Sequence, residues 1–159
     1  MPLAPLLRLF FRWLYHPFAF AYDLVAAAVS LGHWNEWARA VLPFVQGTHL
    51  LELGHGPGHL QLSLRVAGRQ VFGLDESRQM SRIAARRLRT EGGVSAPGLV
   101  RGLSQALPFP NHSFDTVIST FPSKYIFAPQ TLSEAHRVLT PGGRLIVLPA
   151  AWPRNRFLA

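Results

Sequence analysis

The residues best suited to chemistry stand together in the segment ELGHGPG, residues 52–58. Its alternate glycines allow the backbone to turn sharply and approach a ligand closely, and a helix that starts after them favours a negative group. Dinucleotide sites usually have the spacing G-x-G-x-x-G, whereas the third glycine falls one place early here. The carboxylate of Glu52 suits an ammonium group and would repel a pyrophosphate. The segment therefore predicts a ligand-binding loop that differs from a dinucleotide loop.

A second acid, Asp75, closes the apolar segment QVFGL about 20 residues after Glu52, where nucleotide-binding folds place the acid that accepts ribose hydroxyls. Met80 follows in a predicted helix, and it either lies against a purine face or fills a gap in the core. Asp75 is therefore the candidate for holding a ribose.

The elements that position these residues alternate along the chain. Short apolar runs predict strands at 49–53, 70–74, 98–103, 114–119 and 144–148, and helical patterns separate them at 59–67, 77–88 and 129–139. This alternation predicts an α/β fold, doubly wound, with a mainly parallel sheet and helices on both faces. Ligands of such sheets bind beyond the carboxyl ends of the strands, which is where both acids stand.

The amino-acid composition excludes several classes of chemistry. The chain has 159 residues, of which 48% are apolar and none is cysteine. We expect one domain with a substantial core, and thiol catalysis, iron–sulfur clusters and cysteine-ligated zinc are excluded. The formal net charge is +8, and the arginines are scattered from Arg8 to Arg156 without forming a block. This charge is compatible with nucleic acid, anionic lipid or an acidic substrate and selects none of them.

Four segments follow one another as in a known family: LLELGHGPG, VFGLDES, LPFPNHSFDTVIST and LSEAHRVLTPGGRLIVL. Over 15–148 the chain resembles class I S-adenosylmethionine-dependent methyltransferases, particularly the small-molecule type similar to quinone-biosynthesis methyltransferases. The resemblance implies a Rossmann-like fold, S-adenosyl-L-methionine as cofactor, and methyl transfer to a small, in the quinone case lipid-soluble, acceptor.

The resemblance also implies roles for individual residues. The glycine loop would hold the methionine part of the cofactor, with Glu52 acting towards its ammonium directly or through water, and Asp75 would bind the ribose. The family often has an acid where Leu103 stands, so adenine recognition would depend on Ser104, backbone groups and packing. The cofactor-binding residues implied in this way are Glu52, Gly54, Gly56, Gly58, Asp75, Glu76, Met80, Leu103, Ser104 and Thr120.

No spacing selects a catalytic residue. Methyl transfer from a sulfonium depends mainly on positioning, and a hydroxyl acceptor additionally needs a base. The candidates for that base are His55, Tyr15, Tyr22 and Tyr125. No metal site is expected, because the neighbouring histidines fall on a strand, a loop and a helix.

Residues 1–46 are predicted to form a helical arm or lid, and residues 47–159 the cofactor-binding core, together one structural domain. The arm is apolar and aromatic but is interrupted by arginines and Pro17, which makes it too short to span a membrane. It suits an interfacial helix, so we expect a cytoplasmic protein in peripheral contact with the membrane.

The family fold usually continues past the fifth strand, whereas this sequence stops at Ala159. The last strands are expected to be missing, which would leave an exposed sheet edge. A second copy in a homodimer, the tail 152–159, or a part of the protein beyond this sequence would cover that edge.

Two further classes stay open beside the methyltransferase. One is a non-catalytic cofactor-binding or interaction module that keeps the fold, and the other is a nucleotide-dependent oxidoreductase, which the glycine spacing disfavours. Nucleic acid is disfavoured as a partner, because TFPSKY at 120–125 does not match the motif of base methyltransferases.

Overall fold

Residues 34–93 and 98–151, the part of the chain that the computed structural model describes, contain five strands and four α-helices, which alternate except between the third and fourth strands. The strands are β1 (His49–Leu53), β2 (Gln70–Asp75), β3 (Leu99–Arg101), β4 (Phe114–Thr120) and β5 (Leu139–Leu148). The helices are α1 (Trp34–Arg39), α2 (His59–Val66), α3 (Arg78–Gly92) and α4 (Pro129–Val138), with short 3₁₀-helices at Leu42–Phe44 and Lys124–Phe127. Most of the predicted arm, including Tyr15 and Tyr22, and the tail 152–159 lie outside the described residues.

All five strands run parallel in one sheet, in the order β3-β2-β1-β4-β5. The first strand, β1, lies in the middle of the sheet. The next two strands lie outward from it on one side, and the chain then crosses to β4 on the other side. The connections after β1 and β4 therefore leave in opposite directions. The gap between the carboxyl ends of these two strands is the switch point at which open α/β sheets bind ligands. The predicted doubly wound parallel sheet is confirmed.

β5 begins at Leu139 rather than at Arg144, where the apolar pattern placed its start. Leu139 pairs with Phe114, and the register shifts before Thr116 pairs with Arg144. The shift accommodates a turn in which Gly142 has φ +79°. Extended backbone on both sides of that turn continues the strand, although the glycine and proline signals alone indicate a loop.

Side-chain alternation along β1 divides the core into two layers. Leu51 and Leu53 belong to a cluster that includes residues of α4, and Leu50 belongs to a second cluster that includes residues of α2. All three leucines are fully buried. Helices therefore cover both faces of the sheet, as predicted. Among the described residues, none of these helices combines the length and the apolar character that a membrane span requires.

α3 begins after Ser77, as predicted, and continues to Gly92, beyond the predicted end at Leu88. The hydroxyl of Ser77 accepts a hydrogen bond from the backbone nitrogen of Met80 at 3.3 Å, and Gly93 ends the helix with φ +58°. Met80, Ala84 and Leu88 form the buried stripe of this helix. α3 packs with this side against α2 and the edge of the sheet at β3.

β5 forms one edge of the sheet in the described part of the chain. Its residues 145–148 are only half-buried, whereas Val117 and Ile118 on the adjacent β4 are fully buried. The apolar surface of this edge strand is therefore less completely covered than the centre of the sheet.

An ion pair on α4 anchors the loop between β3 and β4. Arg137 donates two hydrogen bonds to the carboxylate of Glu134, from Nε to Oε1 at 2.7 Å and from Nη2 to Oε2 at 2.8 Å. The same guanidinium donates to the carbonyl oxygens of Leu107 and Phe109 and to the side chain of Asn111. Glu134 also accepts a hydrogen bond from the backbone nitrogen of Leu107 at 2.7 Å. The pair therefore fixes residues 107–111 of this loop.

Arg137→Ala is expected to lower the free energy of unfolding by about 2 kcal/mol, because two loop carbonyls and a carboxylate lose their charged donor. Urea denaturation followed by circular dichroism measures the loss. Arg144→Ala is the control, since its guanidinium donates a hydrogen bond to the carbonyl of Phe44, and it should cost less than about 1 kcal/mol. Equal losses for the two variants would contradict a special stabilising role for Arg137.

Candidate functional site

A cavity of about 480 Å³ opens at the carboxyl ends of β1, β2 and β4, at the switch point of the sheet. Its volume lies within the roughly 300–1,000 Å³ that is typical of small-molecule and cofactor sites. Its walls come from the loops that follow the strands and from the start of α3. The lining residues are Gly54, Gly56, Leu74, Asp75, Glu76, Ser77, Met80, Gly102, Leu103, Ser104, Gln105, Thr120, Phe121, Pro122, Ser123 and Tyr125.

The loop after β1 has a backbone that glycine adopts more easily than other residues. Gly54 and Gly56 have φ values of +71° and +53°. A Cβ atom on Gly54 would lie 2.5 Å from the hydroxyl oxygen of Tyr125, whereas one on Gly56 would meet no atom within 4 Å. Gly54 therefore leaves room for Tyr125, and Gly56 leaves open space in the cavity wall.

Gly58 lies outside the lining of the cavity although it belongs to the same motif. It precedes α2 with φ +84°, and a Cβ atom there would lie 2.8 Å from the Cβ of Ala84 on α3. The absence of a side chain thus permits close packing of α2 against α3. This glycine supports the site through the packing of two helices.

Asp75 ends β2 and lines the cavity, and two backbone amides hold its carboxylate in place. Oδ2 accepts a hydrogen bond from the nitrogen of Gly56 at 2.9 Å, and Oδ1 accepts one from the nitrogen of Ser77 at 2.8 Å. Each oxygen keeps a lone pair for a further donor. A ligand with two adjacent hydroxyls matches this fixed carboxylate.

Glu52 is buried beneath the loop and does not line the large cavity. It is 2% exposed, and its Oε2 accepts a hydrogen bond from Nε2 of Gln61 at 2.9 Å. The pKa of Glu52 is raised to about 8, chiefly by burial away from water and also by the charge of Asp75, while the Gln61 hydrogen bond and the charge of Arg65 oppose the rise. The side chain is therefore mainly protonated at neutral pH, and a cation close to it would favour ionisation.

A second cavity, of about 30 Å³, adjoins the first and includes Glu52 and His55 in its wall. A polar space of this size accommodates a single water molecule. It connects Glu52 with the surroundings of the large cavity, because the two spaces have walls in common. The shared residues are Gly54, Gly56, Thr120 and Phe121.

His55 is 4% exposed and lines only the smaller of the two cavities. Its Nδ1 lies 2.8 Å from the carbonyl oxygen of Gly56, so this nitrogen carries the proton, and Nε2 is buried without a hydrogen-bond partner among the described residues. Burial lowers the pKa of the ring against the opposing effect of Asp75. His55 is thus a neutral imidazole with a free acceptor nitrogen.

Within residues 34–93 and 98–151, no group of three His, Asp or Glu side chains is arranged to hold a metal ion.

Tyr125 lines the large cavity from the 3₁₀-helix after β4, and its hydroxyl joins the ends of β1 and β4. This hydroxyl donates to the carbonyl oxygen of Leu53 at 3.1 Å and lies 3.0 Å from the hydroxyl of Ser119, which donates to the same carbonyl at 2.9 Å. A phenol that donates to a carbonyl is protonated. The arrangement favours a role in positioning the end of β1 over one in proton abstraction.

The loop after β3 contributes Leu103 and Ser104 to the cavity wall. Leu103 is 51% exposed and Ser104 is 7% exposed. Because the leucine side chain has no hydrogen-bonding atom, polar recognition on this side of the cavity falls to Ser104 and the backbone. Glu76 and Thr120 also line the cavity, from the ends of β2 and β4.

The structure brings the predicted cofactor residues to one cavity, with Glu52 and Gly58 as the exceptions. The sequence patterns missed Gln61, the fully buried partner of Glu52. An amide on the apolar side of a helix directly after the glycine loop is the signal that could have revealed it. The sequence patterns also missed the conformation of Phe121, which has φ +49° where the chain turns from β4 into the cavity wall. No pattern in the sequence indicates this turn.

The fold and the cavity at its switch point define an α/β protein of the Rossmann-like class. Residues 51–147 match the family model described as methyltransferase domain. The chain belongs to that family.

Named relatives agree with this membership. The chain is 36% identical over 154 residues to a demethylmenaquinone methyltransferase of Symbiobacterium thermophilum, covering 92% of this chain and 61% of that protein. It is 32% identical over 146 residues to a ubiquinone/menaquinone biosynthesis C-methyltransferase of Yersinia enterocolitica, covering 87% and 58%. A solved structure from Thermotoga maritima, described as an S-adenosylmethionine-dependent methyltransferase, aligns with a TM-score of 0.58 at 25% identity, covering 91% and 58%. The chain thus spans about three fifths of the length of the curated relatives it matches.

Glu52→Gln is expected to change how stability depends on pH. Because folding raises the pKa of Glu52 from 4.5 to about 8, its contribution to the free energy of unfolding is complete below the lower value and is lost as the pH rises through the higher one. Glutamine does not titrate, so the stability of wild type relative to E52Q should fall between about pH 5 and about pH 9. Thermal melts across this range measure the difference.

The exposed carboxylate Glu91, paired with Arg87 on α3, provides the matched control as Glu91→Gln. The stability of wild type relative to E91Q should not fall in this way over the same pH range. Parallel profiles for wild type and E52Q would mean that Glu52 is already ionised in the folded protein.

Proposed function

We propose that this chain binds S-adenosylmethionine in the large cavity and forms the catalytic core of a small-molecule methyltransferase. Membership of the methyltransferase-domain family supports the reaction class. The single observation that carries the cofactor assignment is the carboxylate of Asp75, held at the cavity wall by the amides of Gly56 and Ser77. It presents two fixed acceptors to the adjacent hydroxyls of the ribose.

The lining of the large cavity fits both halves of this cofactor. Asp75, Met80 and Ser104 would surround the adenosine, with Leu103 packing against it in place of an acid. The open wall at Gly56 would accommodate the methionine part. Glu52 would then act on the ammonium through a water in the small cavity, which has room for one.

The chemistry of the transfer places modest demands on the protein. The cofactor supplies a methyl group already activated on a sulfonium, and the acceptor gains this methyl and loses a proton. The enzyme must hold the acceptor atom about 3–3.5 Å from the methyl carbon in a space without bulk water. We assign Tyr125 to positioning, because its hydroxyl donates to the carbonyl of Leu53. His55, Tyr15 and Tyr22 remain candidates for the base.

The names of the relatives suggest the class of acceptor. One relative is named a demethylmenaquinone methyltransferase and the other a ubiquinone/menaquinone biosynthesis C-methyltransferase, so we propose a lipid-soluble quinone-type acceptor. The arm 1–46 is proposed as a lid over the 47–159 core and as a peripheral membrane contact. The edge strand β5 is proposed to be covered in the whole protein by further chain or by a second copy.

Calorimetric titration with S-adenosylmethionine and S-adenosylhomocysteine tests the cofactor site. Asp75→Asn should weaken binding by about 10- to 100-fold, because a charged acceptor of the ribose hydroxyls is lost. Asp115→Asn is a matched control: Asp115 accepts from the amides of Thr48 and His49 at 2.8 and 3.0 Å, at the start of β1 and away from the cavity. It should bind like wild type.

Absence of binding to the folded wild-type chain, or equal loss in the two variants, would overturn the assignment. A second assay separates the enzyme from a non-catalytic module. The chain is incubated with cofactor labelled on the methyl group and a reduced quinone in detergent. Label in the quinone supports the enzyme, whereas tight cofactor binding without any transfer favours the module.

A further inference from the structure

The outward side of α3 carries a line of four exposed arginines: Arg78, Arg82, Arg86 and Arg89. Their spacing keeps them on one side of the helix over about 16 Å. The buried stripe of Met80, Ala84 and Leu88 lies on the opposite side. We call these four residues the arginine face.

The arginine face differs from the other arginines in the described part of the chain. None of its four guanidinium groups has a hydrogen-bond or ion-pair partner among the described residues. Every other described arginine donates to a protein group. The pairs of donor and acceptor residue are Arg39 with Ser63, Arg65 with Val71, Arg69 with Gly47, Arg87 with Glu91, Arg101 with Glu76, Arg137 with Glu134 and Arg144 with Phe44.

The arrangement works against the stability of an isolated helix. Like charges three or four residues apart repel one another, and the acid of α3, Glu91, is paired with Arg87 rather than with this face. Within residues 34–93 and 98–151, no hydrogen bond or ion pair of these arginines compensates for the repulsion. An anionic surface along the helix would relieve it and would use all four charges together.

We propose that the arginine face docks the protein on an anionic lipid surface. The choice of a lipid rests on the proposed function, because a quinone-type acceptor resides in a membrane. Clusters of four to eight basic residues on an amphipathic helix are typical of binding to anionic headgroups. A single-stranded nucleic acid would favour exposed aromatic side chains for base stacking, and α3 contains none.

The position of α3 connects this surface with the cavity. Ser77 and Met80 line the cavity, and Arg78, the first arginine of the face, lies between them in the sequence. Leu103, half exposed, belongs to the same cavity wall. Docking through α3 therefore brings this wall of the cavity close to the headgroups, where a lipid-soluble acceptor is concentrated.

Vesicle sedimentation tests the proposal with the full chain. The vesicles contain phosphatidylcholine alone or with about 30% phosphatidylglycerol, at about 0.1 M salt. Wild type should bind the anionic vesicles preferentially, and Arg82→Gln with Arg86→Gln should lower the partition coefficient about 10- to 30-fold. Arg39→Gln with Arg144→Gln removes the same charge from arginines that have protein partners, and it should change the coefficient by less than about threefold.

Several outcomes would overturn the proposal. Unchanged vesicle binding of the α3 double variant would place lipid contact elsewhere, for instance on the arm. Equal losses in both double variants would indicate an effect of net charge alone. Binding of wild type to a nucleic-acid duplex at the same salt, lost in the α3 variant while vesicle binding persists, would identify nucleic acid as the partner instead.

Two further measurements keep this test separate from the proposed function. The melting temperature of each double variant shows whether it is folded. Cofactor titration without vesicles should match wild type, because neither Arg82 nor Arg86 lines the cavity. A chain that binds anionic vesicles through α3 but not the cofactor would support docking and refute only the cofactor site.

Discussion

The carboxylate of Asp75 is the point on which the geometry of the site depends. Through the amides of Gly56 and Ser77 it joins the glycine loop after β1 to the turn that starts α3. Those two segments come from neighbouring strands and have no covalent reason to keep a fixed distance. The same group therefore shapes the cavity wall and presents acceptors to a ligand. A substitution there changes both, which is why Asp115, a carboxylate that also accepts two backbone amides but lies elsewhere, is informative beside it.

A second acid gives the site its electrostatic character. Glu52 lies on the α2 side of the sheet with Gln61 and Arg65 close by. Burial and the charge of Asp75 together disfavour the ionised form of Glu52, so the two acids do not both carry a full negative charge at neutral pH. A ligand cation would change the balance in favour of ionisation and release a proton. Under the proposed function, affinity for such a ligand would be coupled to pH through Glu52, which lines only the smaller cavity.

Much of this molecule was predictable from the sequence because the signals are local. Alternating apolar runs located the strands, the helical pattern from Ser77 located the start of α3, and parallel topology placed Asp75 beside the glycine loop. Other features depend on tertiary packing. The 3₁₀-helix at 124–127 brings Tyr125 under Gly54, and this follows from the left-handed backbone at Phe121, which no residue pattern encodes. The role of Gly58 is visible only once Ala84 is known to face it. The arginines of α3 are a different case, because the helical period of the sequence alone is enough to place four of them on one side.

The strand order also divides the sheet into two halves, β1 to β3 and β4 with β5, joined along a seam between β1 and β4. The seam consists of the pairs Leu50 with Thr116, Leu51 with Val117 and Glu52 with Ile118. Beyond it the carbonyl of Leu53 bonds to the hydroxyls of Ser119 and Tyr125 instead of to a strand backbone. The cavity lies across the open end of this seam, with Asp75 on one half and Thr120 on the other. A ligand that contacts both halves would add non-covalent contacts across the open end of the seam, and the force needed to pull the two halves apart would then rise.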